Sequence, residues 1–446
     1  MHRVARTAHH GTGRGAALRR VARRRTLAGA GAAVVALTTL AACTSGNDNR
    51  AQGSPAANDT SASAAGSSSA APSSSAPALP AAVTVAATGG FTRANPAAPV
   101  TVKVAHGTLT SVVLKNPAGK VVKGALGTGA TSWATAEDLG YDKTYTLTAV
   151  TKDGAGRTAT KTQKISTVSP DNLTQPYLND IYGTALDAGA TYGVGMVVSA
   201  YFDEDIPDKA AAAKALQVTT SPHVDGAWYW VDAHTAHWRP QHYYAPGTKV
   251  SVATKVYGKN LGHGLYGQSD VSTHFVIGAK HVSVANAKTH QVKVYFNDKF
   301  QRSMPTSMGQ GGYVKGKNGE ISLWTMPGIY TVIHHENPAR MSSDSYGLPA
   351  SSPYGYRAEN VYWATKISID GIYLHQLDTT VWAQGHQNLS HGCLNLNLKN
   401  AKWFYNNARV GDVVQVVHSG GPAIQVWQGG DWSVAWSTWT SGKVAS

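Results

Sequence analysis

The fold class that the sequence predicts is mostly β, arranged in several domains. Segments such as residues 100–104 and 145–148 alternate apolar and polar side chains, and a period of two places the apolar side chains on one face of a strand. Turn dipeptides such as Asn116-Pro117 and Asp153-Gly154 separate these segments. The chain has 446 residues, which is more than one ordinary domain contains. We therefore expect successive β domains rather than one large core.

Residues 82–168 and 169–279 are predicted to form two β-sandwich domains. In both, short alternating segments are separated by turn residues at the spacing typical of sandwiches. The second also contains an alanine-rich stretch, 208–216, that predicts one short helix. Its Trp228, Trp230 and Trp238 are expected to pack in a core or at a domain contact, with a carbohydrate platform as the alternative. Its predicted strands are 194–202, 227–231, 250–256 and 272–277.

The C-terminal part of the chain divides into a further β-rich domain and a short tail. Residues 280–419 continue the β pattern, for example at 291–296, and contain glycine-rich loops. The tail, 420–446, contains Trp427, Trp432, Trp436 and Trp439. Side chains of this size are seldom left in water, so we expect the tail to dock on the preceding domain, 280–419.

The N-terminal segment is typical of an export signal. Residues 1–25 carry eight Arg and no acidic residue, and a run of small apolar residues follows to Ala42. This order describes a secretory signal peptide. Leu40-Ala41-Ala42-Cys43 resembles a bacterial lipobox, with an ordinary signal peptide and an incidental cysteine as the alternative. We therefore expect a signal peptide over 1–42 and a lipid on Cys43 that holds the protein at the outer face of the cell membrane, facing the wall.

The rest of the N-terminal region and the net charge suit a protein tethered at the wall. Residues 43–81 are mainly Ser, Ala, Pro, Gly and Asn, a composition that favours a flexible linker. The formal charge of +14 falls to +6 when the eight signal-segment arginines are subtracted (14 − 8). A mildly basic protein suits an anionic surface. Because no Lys/Arg cluster remains after the signal, nucleic acid is not expected as a partner.

The chemistry of the chain centres on its second cysteine. If Cys43 is acylated, Cys393 is a lone thiol in an oxidising compartment. Fourteen residues separate His375 from Ser390-His391-Gly392-Cys393-Leu394-Asn395. A thiol needs a base or a positive neighbour to become a nucleophile near neutral pH, and histidine is the suitable base. We expect a strand over 365–374 to deliver His375, a loop to return Cys393 beside it, and Gly392 to aim backbone amides at an oxyanion.

This stretch resembles the catalytic signature of the L,D-transpeptidases, whose catalytic domain has the YkuD fold. The signature is a His, fourteen to seventeen residues, then Ser/Thr-His-Gly-Cys-x-Asn. Residues 383–386, 304–309 and Trp363-Ala364 look like further family landmarks. The resemblance implies the actinobacterial lipoprotein form: two immunoglobulin-like domains (82–168 and 169–279), a YkuD-like catalytic domain (280–419) and a Trp-rich C-terminal subdomain (420–446).

The resemblance also implies a two-step acyl transfer on peptidoglycan stem peptides, without a cofactor. Cys393 would attack the carbonyl at the L-centre of diaminopimelate in a tetrapeptide stem and release the terminal D-Ala. The thioester would pass to the side-chain amine of a second stem, giving a 3→3 cross-link. His375 would take the thiol proton, and the backbone carbonyl of Gln376 would orient its ring. β-Lactams, carbapenems in particular, are implied as covalent inhibitors of the same thiol.

The resemblance assigns supporting roles to the residues around this pair. His391 is expected either to contact substrate and shape the pocket or to make a structural hydrogen bond. Ser390 and Asn395 are placed beside the substrate, although both residue types also hold loops. Tyr356 matches a family lid tyrosine, with Tyr354 as the alternative. Met304 matches a substrate-side methionine, with core packing as the alternative.

Three other functions compete with this interpretation. His391-x-Cys393 with His375 or His386 offers zinc ligands, but the spacing fits none of the usual Cys/His repeats, and no metal is expected. An L,D-carboxypeptidase would share the acylation step and resolve the thioester with water. A non-catalytic wall-binding lipoprotein would suit the sandwich domains but leaves the His375…Cys393 pattern unexplained.

Overall fold

Residues 77–441 are the part of the chain that the structure, a computed structural model, describes. The predicted signal peptide, the lipidation site at Cys43 and the predicted linker as far as residue 76 lie outside these residues. Strands dominate the described part, so the prediction of a mostly β fold is confirmed. None of the helices between residues 77 and 441 is long and apolar enough to cross a bilayer.

The first sandwich packs two antiparallel sheets over one apolar core. Strands β1-β2-β5-β4 form one sheet and β3-β6-β7 the other. Period-two alternation along β6 buries Tyr145, Leu147 and Ala149, which pack with Val102 and Trp133 of the facing sheet. The strands are β1 (Ala82–Ala86), β2 (Thr101–Ala105), β3 (Gly107–Lys115), β4 (Gly124–Leu126), β5 (Ser132–Thr135), β6 (Thr144–Asp153) and β7 (Thr158–Ser166), and Thr128–Ala130 is a 3-10 helix.

The second sandwich contains two four-stranded sheets, β10-β17-β15-β12 and β13-β14-β11-β9, and the pair β16-β8. Trp230 and Trp238 are 6% and 5% exposed, so they pack in the core and form no carbohydrate platform. The predicted short helix is present as α1 (Lys209–Ala215), capped by Asp208. The strands are β8 (Asn172–Thr174), β9 (Pro176–Asn179), β10 (Thr191–Tyr192), β11 (Val198–Phe202), β12 (Leu216–Ser221), β13 (Gly226–Trp230), β14 (Thr235–Pro240), β15 (Lys249–Thr254), β16 (Leu265–Gly267) and β17 (Val271–Ile277).

The third unit packs a five-stranded sheet, β20-β19-β18-β30-β23, and a four-stranded sheet, β24-β27-β28-β29, around one core. Two small hairpins, β21-β22 and β25-β26, lie outside these sheets. The strands are β18 (His281–Asn286), β19 (Gln291–Phe296), β20 (Lys299–Pro305), β21 (Tyr313–Gly316), β22 (Gly319–Ser322), β23 (Gly328–Thr331), β24 (His334–Glu336), β25 (Ala339–Ser342), β26 (Arg357–Val361), β27 (Ala364–Lys366), β28 (Tyr373–Gln376), β29 (Leu394–Leu396) and β30 (Val413–Val417). The helices are α2 (Leu398–Asn407), α3 (Trp436–Trp439) and the 3-10 turns Ser343–Tyr346, Asp378–Thr380, Val426–Gln428 and Asp431–Ser433.

The predicted single strand over 365–374 is wrong. The chain turns back between β27 and β28, which pair antiparallel. The Ile367 amide donates to the Ile372 carbonyl at 2.9 Å, and Gly371 has a φ of +107°. Asp370-Gly371 is a turn dipeptide because glycine takes a positive φ without a steric cost. The apolar run therefore contains a hairpin, and its second strand carries His375.

The tail docks on the preceding domain, as expected, where Ile424 joins the apolar core and the Gln428 side chain bonds to Asp370, and it docks on the second sandwich as well. The Arg239 guanidinium lies 4.9, 5.3 and 4.4 Å from the ring centres of Trp432, Trp436 and Trp439. By contrast, Trp427 is 61% exposed. Arginine stacks on aromatic faces through the ring quadrupole. Three of the four tryptophan rings of the tail therefore pack around one buried guanidinium.

Hydrogen bonds fix the tail to both of its neighbours. The indole N–H groups of Trp432 and Trp439 donate to the carbonyls of Gly195 and Ala227 at 2.8 and 2.9 Å. On the other side, the Ile329 amide of β23 donates to the Ser433 hydroxyl at 2.8 Å. The tail therefore bridges the second sandwich and the third unit.

Candidate active site

The pairing of two short parallel strands places His375 and Cys393 next to each other. β28 and β29 pair with Leu374 opposite Leu394 and His375 opposite Asn395. Successive side chains of a strand point to opposite faces. Leu374 and Leu394 enter the core at 1% and 0% exposure, so His375 and Asn395 face the other side, where the chain enters β29 at Cys393. The connection of seventeen residues, 376–392, thus returns the cysteine to the histidine.

His375 is held as a neutral base. Its ring is 5% exposed, and its Nδ1 donates to the Gln376 carbonyl at 2.9 Å. Burial lowers the pKa of His375, and the bond to Gln376 offsets part of this effect. A neutral imidazole that donates from Nδ1 carries its lone pair on Nε2. The ring is therefore oriented to accept a proton at Nε2.

Cys393 is a half-buried thiol that keeps its proton at rest. Its Sγ donates to the Gly371 carbonyl at 3.7 Å. Burial raises the pKa of Cys393 to about 11, a hydrogen bond from the Tyr373 backbone lowers it, and the Asp370 carboxylate raises it. Burial thus shifts the pKa of the Cys393 thiol and that of the His375 imidazole in the directions that favour the neutral form of each group.

Two cavities meet at the sulfur. The first, of about 270 Å³, is lined by both His375 and Cys393, and by Tyr356, His391, Ser390 and Asn395 among others. The second, of about 500 Å³, is lined by Cys393 together with Trp324, Gly392, His391 and Tyr356. Cys393 therefore lies in the wall between two compartments, and a ligand in either one can reach the sulfur.

Hydrogen bonds within and around the Ser390–Cys393 loop fix the backbone that carries Cys393. The Ser390 hydroxyl donates to the Cys393 carbonyl at 2.6 Å and accepts from the Gly392 amide at 3.0 Å. The Thr325 hydroxyl donates to the Gly392 carbonyl at 2.6 Å, and Gly392 has a φ of +139°. The Gly392 amide is thus already engaged within the loop, and the prediction that Gly392 aims other backbone amides at an oxyanion stays a prediction. Gly392 supplies the backbone conformation that the loop requires.

Asn395 and Met304 differ in how they relate to the cavity. Asn395 is 3% exposed and lines the first cavity, and its backbone pairs with Ser307 through bonds of 2.9 and 3.2 Å. Met304 is 0% exposed and packs in the core, opposite Val292 in the strand register. The prediction that Met304 contacts substrate is therefore wrong, because alternation along β20 turns this side chain inward.

The β25–β26 hairpin covers the sulfur and brings Tyr356 to it. The Tyr356 ring lies 5.1 Å from the His391 ring, and Tyr356 lines both cavities. Tyr354, the alternative, is 51% exposed. Burial, the Cys393 charge and Tyr346 raise the pKa of Tyr356 far above its ordinary value, so its hydroxyl remains a donor. Of the two candidates, Tyr356 is the one that lines the same cavities as Cys393.

His391 combines a structural bond with an unused nitrogen. Burial lowers the pKa of His391, and a hydrogen bond to the Tyr354 carbonyl offsets part of that effect. Its Nε2 is buried and has no hydrogen-bond partner in the described part of the chain. His391 lines both cavities, so it ties the hairpin to the loop and also presents an acceptor to a ligand.

Sequence reasoning missed the β27–β28 turn as part of the site. Asp370 and Gly371 line the second cavity, the Gly371 carbonyl contacts the sulfur, and the Tyr373 backbone bonds to it. The Asp-Gly dipeptide just before the base was the available signal. Within residues 77–441, no three His, Cys, Asp or Glu side chains are grouped so that they could hold a metal ion.

Comparison with known proteins agrees with this geometry. Two family profiles match: a bacterial Ig domain over residues 91–260 and an L,D-transpeptidase catalytic domain over 280–416. The chain is 41% identical to L,D-transpeptidase 2 of Mycobacterium tuberculosis (strain CDC 1551 / Oshkosh) over 362 residues, 81% of this chain and 84% of that protein. It is 36% identical to L,D-transpeptidase 5 of Mycobacterium tuberculosis (strain H37Rv) over 357 residues, 78% of this chain and 73% of that protein.

Two solved structures are also similar. An L,D-transpeptidase from Mycobacterium smegmatis is 30% identical, with a TM-score of 0.41, over 52% of this chain and 94% of that chain. L,D-transpeptidase 3 from Mycobacterium tuberculosis, solved with a faropenem-derived adduct, is 28% identical, with a TM-score of 0.42, over 51% of this chain and 94% of that chain. On the identity and coverage of the two full-length relatives, the chain belongs to the L,D-transpeptidase family.

Proposed function

We propose that the chain is a peptidoglycan L,D-transpeptidase that forms 3→3 cross-links through a thioester on Cys393. The observation that carries this proposal is the pairing of β28 with β29, which sets His375 and Cys393 in the wall of one cavity. A buried base beside a half-buried thiol, with a second compartment across the sulfur, suits transfer of an acyl group between two ligands. The family membership of the chain supports the same activity.

The first step is acylation of the sulfur by the donor stem. Cys393 Sγ attacks the carbonyl carbon at the L-centre of the third residue of a tetrapeptide, and its proton moves to His375 Nε2 as the C–S bond forms. The C–N bond to the terminal D-Ala then breaks, and the same proton passes to the leaving amine. The Gln376 carbonyl, which accepts from Nδ1 at 2.9 Å, stabilises the transient imidazolium. Since the thiol pKa is about 11, this proton transfer is needed at neutral pH.

The second step transfers the acyl group to the acceptor stem. The side-chain amine of a second stem attacks the thioester carbon, the C–S bond breaks, and His375 moves a proton from the amine to the departing sulfur. An amide bond forms and the thiol is restored. The two cavities that share Cys393 support separate places for donor and acceptor. In this scheme Ser390 and Asn395 line the donor side, whereas Tyr356 and His391 line both cavities.

The remaining parts of the chain place this site at the wall. We propose the division into sandwich domains over 82–168 and 169–279, a catalytic domain over 280–419 and a C-terminal subdomain over 420–446. The lipid on Cys43 and the linker over 43–81 would hold these domains outside the cell membrane. The sandwiches would then act as spacers that carry the catalytic domain toward its stem peptides.

Product analysis with synthetic stems tests the proposed reaction. Incubation with a tetrapeptide donor and an acceptor stem should yield a dimer linked 3→3, identified by mass and fragmentation. Cys393→Ala should give none, and His375→Gln should lower the rate by about 10²- to 10⁴-fold, the range that general base catalysis supplies. Tripeptide without dimer at saturating acceptor would indicate an L,D-carboxypeptidase, and no turnover of any stem would indicate a non-catalytic wall-binding protein.

We further propose that carbapenems and other β-lactams acylate Cys393. Attack on the strained ring breaks its amide C–N bond, and the nitrogen takes the thiol proton, so the adduct has the summed mass of protein and inhibitor. Intact mass spectrometry should show one adduct on the wild-type chain and none on Cys393→Ala. An adduct that persists in Cys393→Ala would contradict this assignment.

A further inference from the structure

The first and the second sandwich carry opposite net charges. Residues 82–168 contain ten Lys and Arg against four Asp and Glu, which gives the first sandwich a formal charge of +6. Residues 169–279 contain six Lys and Arg against ten Asp and Glu, which gives the second a formal charge of −4. An anionic surface therefore attracts the first sandwich and repels the second.

The outer face of the β3-β6-β7 sheet presents three lysines to the solvent. The strand register places Lys115 of β3 and Lys164 of β7 on the two sides of Thr146 in β6, and residues opposite each other share a face. Lys152 follows Thr146 along β6 by an even number of residues, so it points to the same side. All three lysines are exposed. We call this surface the lysine face.

The lysine face carries cations and hydroxyl groups without an anion among them. Its other outward positions in β3, β6 and β7 are Thr, Ser or Val. The acidic residue of these three strands, Asp153, is 8% exposed and pairs with Arg157 at 2.7 Å. From the spacing of strands and residues, the lysines mark a triangle of roughly 10 by 20 Å. Ammonium and hydroxyl donors spread over a flat surface suit an array of phosphate oxygens.

The chain enters the first sandwich beside one lysine of this face. The Arg157 guanidinium donates to the Ala78 carbonyl at 2.9 Å, and Ala78 and Lys152 line the same surface hollow. Thirty-four residues, 43–76, separate Cys43 from the described part of the chain. A linker of this length and composition is expected to span about 30 Å. A lipid on Cys43 would therefore keep the lysine face within reach of the membrane surface.

We propose that the lysine face docks on the anionic phospholipid headgroups of the membrane that holds the lipid of Cys43. This inference rests on the proposed lipid anchor and goes beyond the transpeptidase chemistry. Lys115, Lys152 and Lys164 lie against headgroup phosphates, and the Thr and Ser hydroxyls between them donate to the same oxygens. Because the second sandwich is repelled from this surface, docking favours an orientation in which the first sandwich alone lies on the membrane.

Vesicle sedimentation tests the lysine face in the absence of the lipid. The protein is the chain over 43–446 with Cys43→Ser, and the vesicles contain phosphatidylcholine alone or with about one phosphatidylglycerol in three lipids, at low salt. The mixed vesicles should sediment the protein and the neutral ones should not. Each lysine near an anionic surface strengthens partitioning roughly fivefold. The triple variant Lys115→Gln, Lys152→Gln, Lys164→Gln should therefore bind about 100-fold more weakly.

Matched variants separate the lysine face from the net charge of the chain. Lys103→Gln, Lys249→Gln and Lys259→Gln together remove the same charge at exposed positions off this face, and this triple variant should bind as the wild type does. Replacement of the three face lysines by Arg should preserve binding, because the positive charge is retained. Protection of the β6 amides from hydrogen exchange shows in each variant that the first sandwich is folded.

Four results would overturn the proposal. The wild type could bind neutral and mixed vesicles equally or bind neither, the face variant could bind as tightly as the wild type, or the off-face variant could lose as much binding. The fourth is sedimentation with purified cell walls but not with vesicles, which would assign the lysine face to an anionic wall polymer. Because the tested protein carries no lipid and needs no turnover, none of these results depends on the anchor or on transpeptidase activity.

Discussion

At the scale of single residues, burial decides how the site works. It raises the pKa of Cys393 to about 11 and lowers that of His375. Both shifts favour the neutral forms, because a charged group loses hydration when it is buried. In the proposed mechanism the proton therefore moves from the thiol to the imidazole during attack, so that activation is linked to the arrival of a substrate.

The rate of acylation should therefore be nearly independent of pH over a wide range. As the pH rises, the imidazole becomes neutral before the pH reaches the ordinary histidine pKa of about 6.5. The thiol keeps its proton up to about pH 11. Between these two pH values, the fraction of protein with a neutral imidazole and a neutral thiol is constant. At lower pH the rate falls, because the imidazole becomes protonated. Stopped-flow acylation by a carbapenem from pH 5 to 10 measures this profile.

His375→Ala is the informative variant for the same profile. Without the base, only the spontaneous thiolate reacts, so its acylation rate should rise about tenfold per pH unit toward pH 11. A wild-type profile with that same slope between pH 7 and 10 would show that the imidazole does not take the proton.

The sequence indicated the reacting pair but not its surroundings. His375 and Cys393 stood out because few residue types supply a nucleophile and a base. Asp370 and Gly371 carried only the weak signal of a turn dipeptide, and only folding of the β27–β28 hairpin brings them to the cavity beside Cys393. Met304 failed as a substrate residue because spacing along the chain does not tell which face of β20 is buried.

At the scale of elements, strand register and the tail were the hard parts. The apolar run over 365–374 has the composition of one strand, yet Gly371 folds it into two. Whether this run forms one strand or two depends on a turn, and composition alone indicates that turn only weakly. The tail docks on the preceding domain, as expected, but it also packs on Arg239 of the second sandwich, far away in sequence. A tryptophan-rich segment predicts that its side chains are buried, but it does not indicate which surface covers them.

Removal of the Arg239 side chain should release the tail. Arg239→Ala leaves the carbonyls of Asp431 and Val434 without their donors at 3.1 and 2.7 Å and removes the cation from three rings. We expect the tail to lose about 2–4 kcal/mol of local stability. Hydrogen exchange of peptides covering 426–441 measures this loss. Trp427→Ala, which removes an exposed ring, is the control, and unchanged exchange in Arg239→Ala would contradict the contact.

At the scale of the whole described chain, three apolar cores are joined by specific polar contacts. The first two sandwiches meet at Tyr141, whose hydroxyl accepts from the Gly258 amide at 2.7 Å and donates to the Gly267 carbonyl at 2.8 Å. The Tyr141 ring also packs 4.8 Å from that of Tyr257. Alternation and turn residues predicted the sandwiches themselves, whereas contacts between residues more than a hundred positions apart leave no local pattern.

Tyr141→Phe should loosen this junction without disturbing either core. The substitution keeps the ring and removes the hydroxyl that serves both bonds, so the Gly258 amide loses its acceptor. Exchange of that amide should accelerate about tenfold or more, the effect of losing roughly 1.4 kcal/mol. Tyr177→Phe, at an exposed tyrosine, should leave exchange at Gly258 unchanged. Equal exchange in wild type and Tyr141→Phe would show that the junction does not depend on this hydroxyl.

Capture of the acyl-enzyme tests the central assignment most directly. Rapid mixing of the protein with a tetrapeptide donor, in the absence of acceptor, followed by acid quench and intact mass spectrometry, should show a tripeptidyl adduct and an equal amount of released D-Ala. Peptide mapping should place the adduct on Cys393, and His375→Gln should slow its appearance. Release of D-Ala with no adduct on Cys393, or an adduct on another residue, would contradict the account.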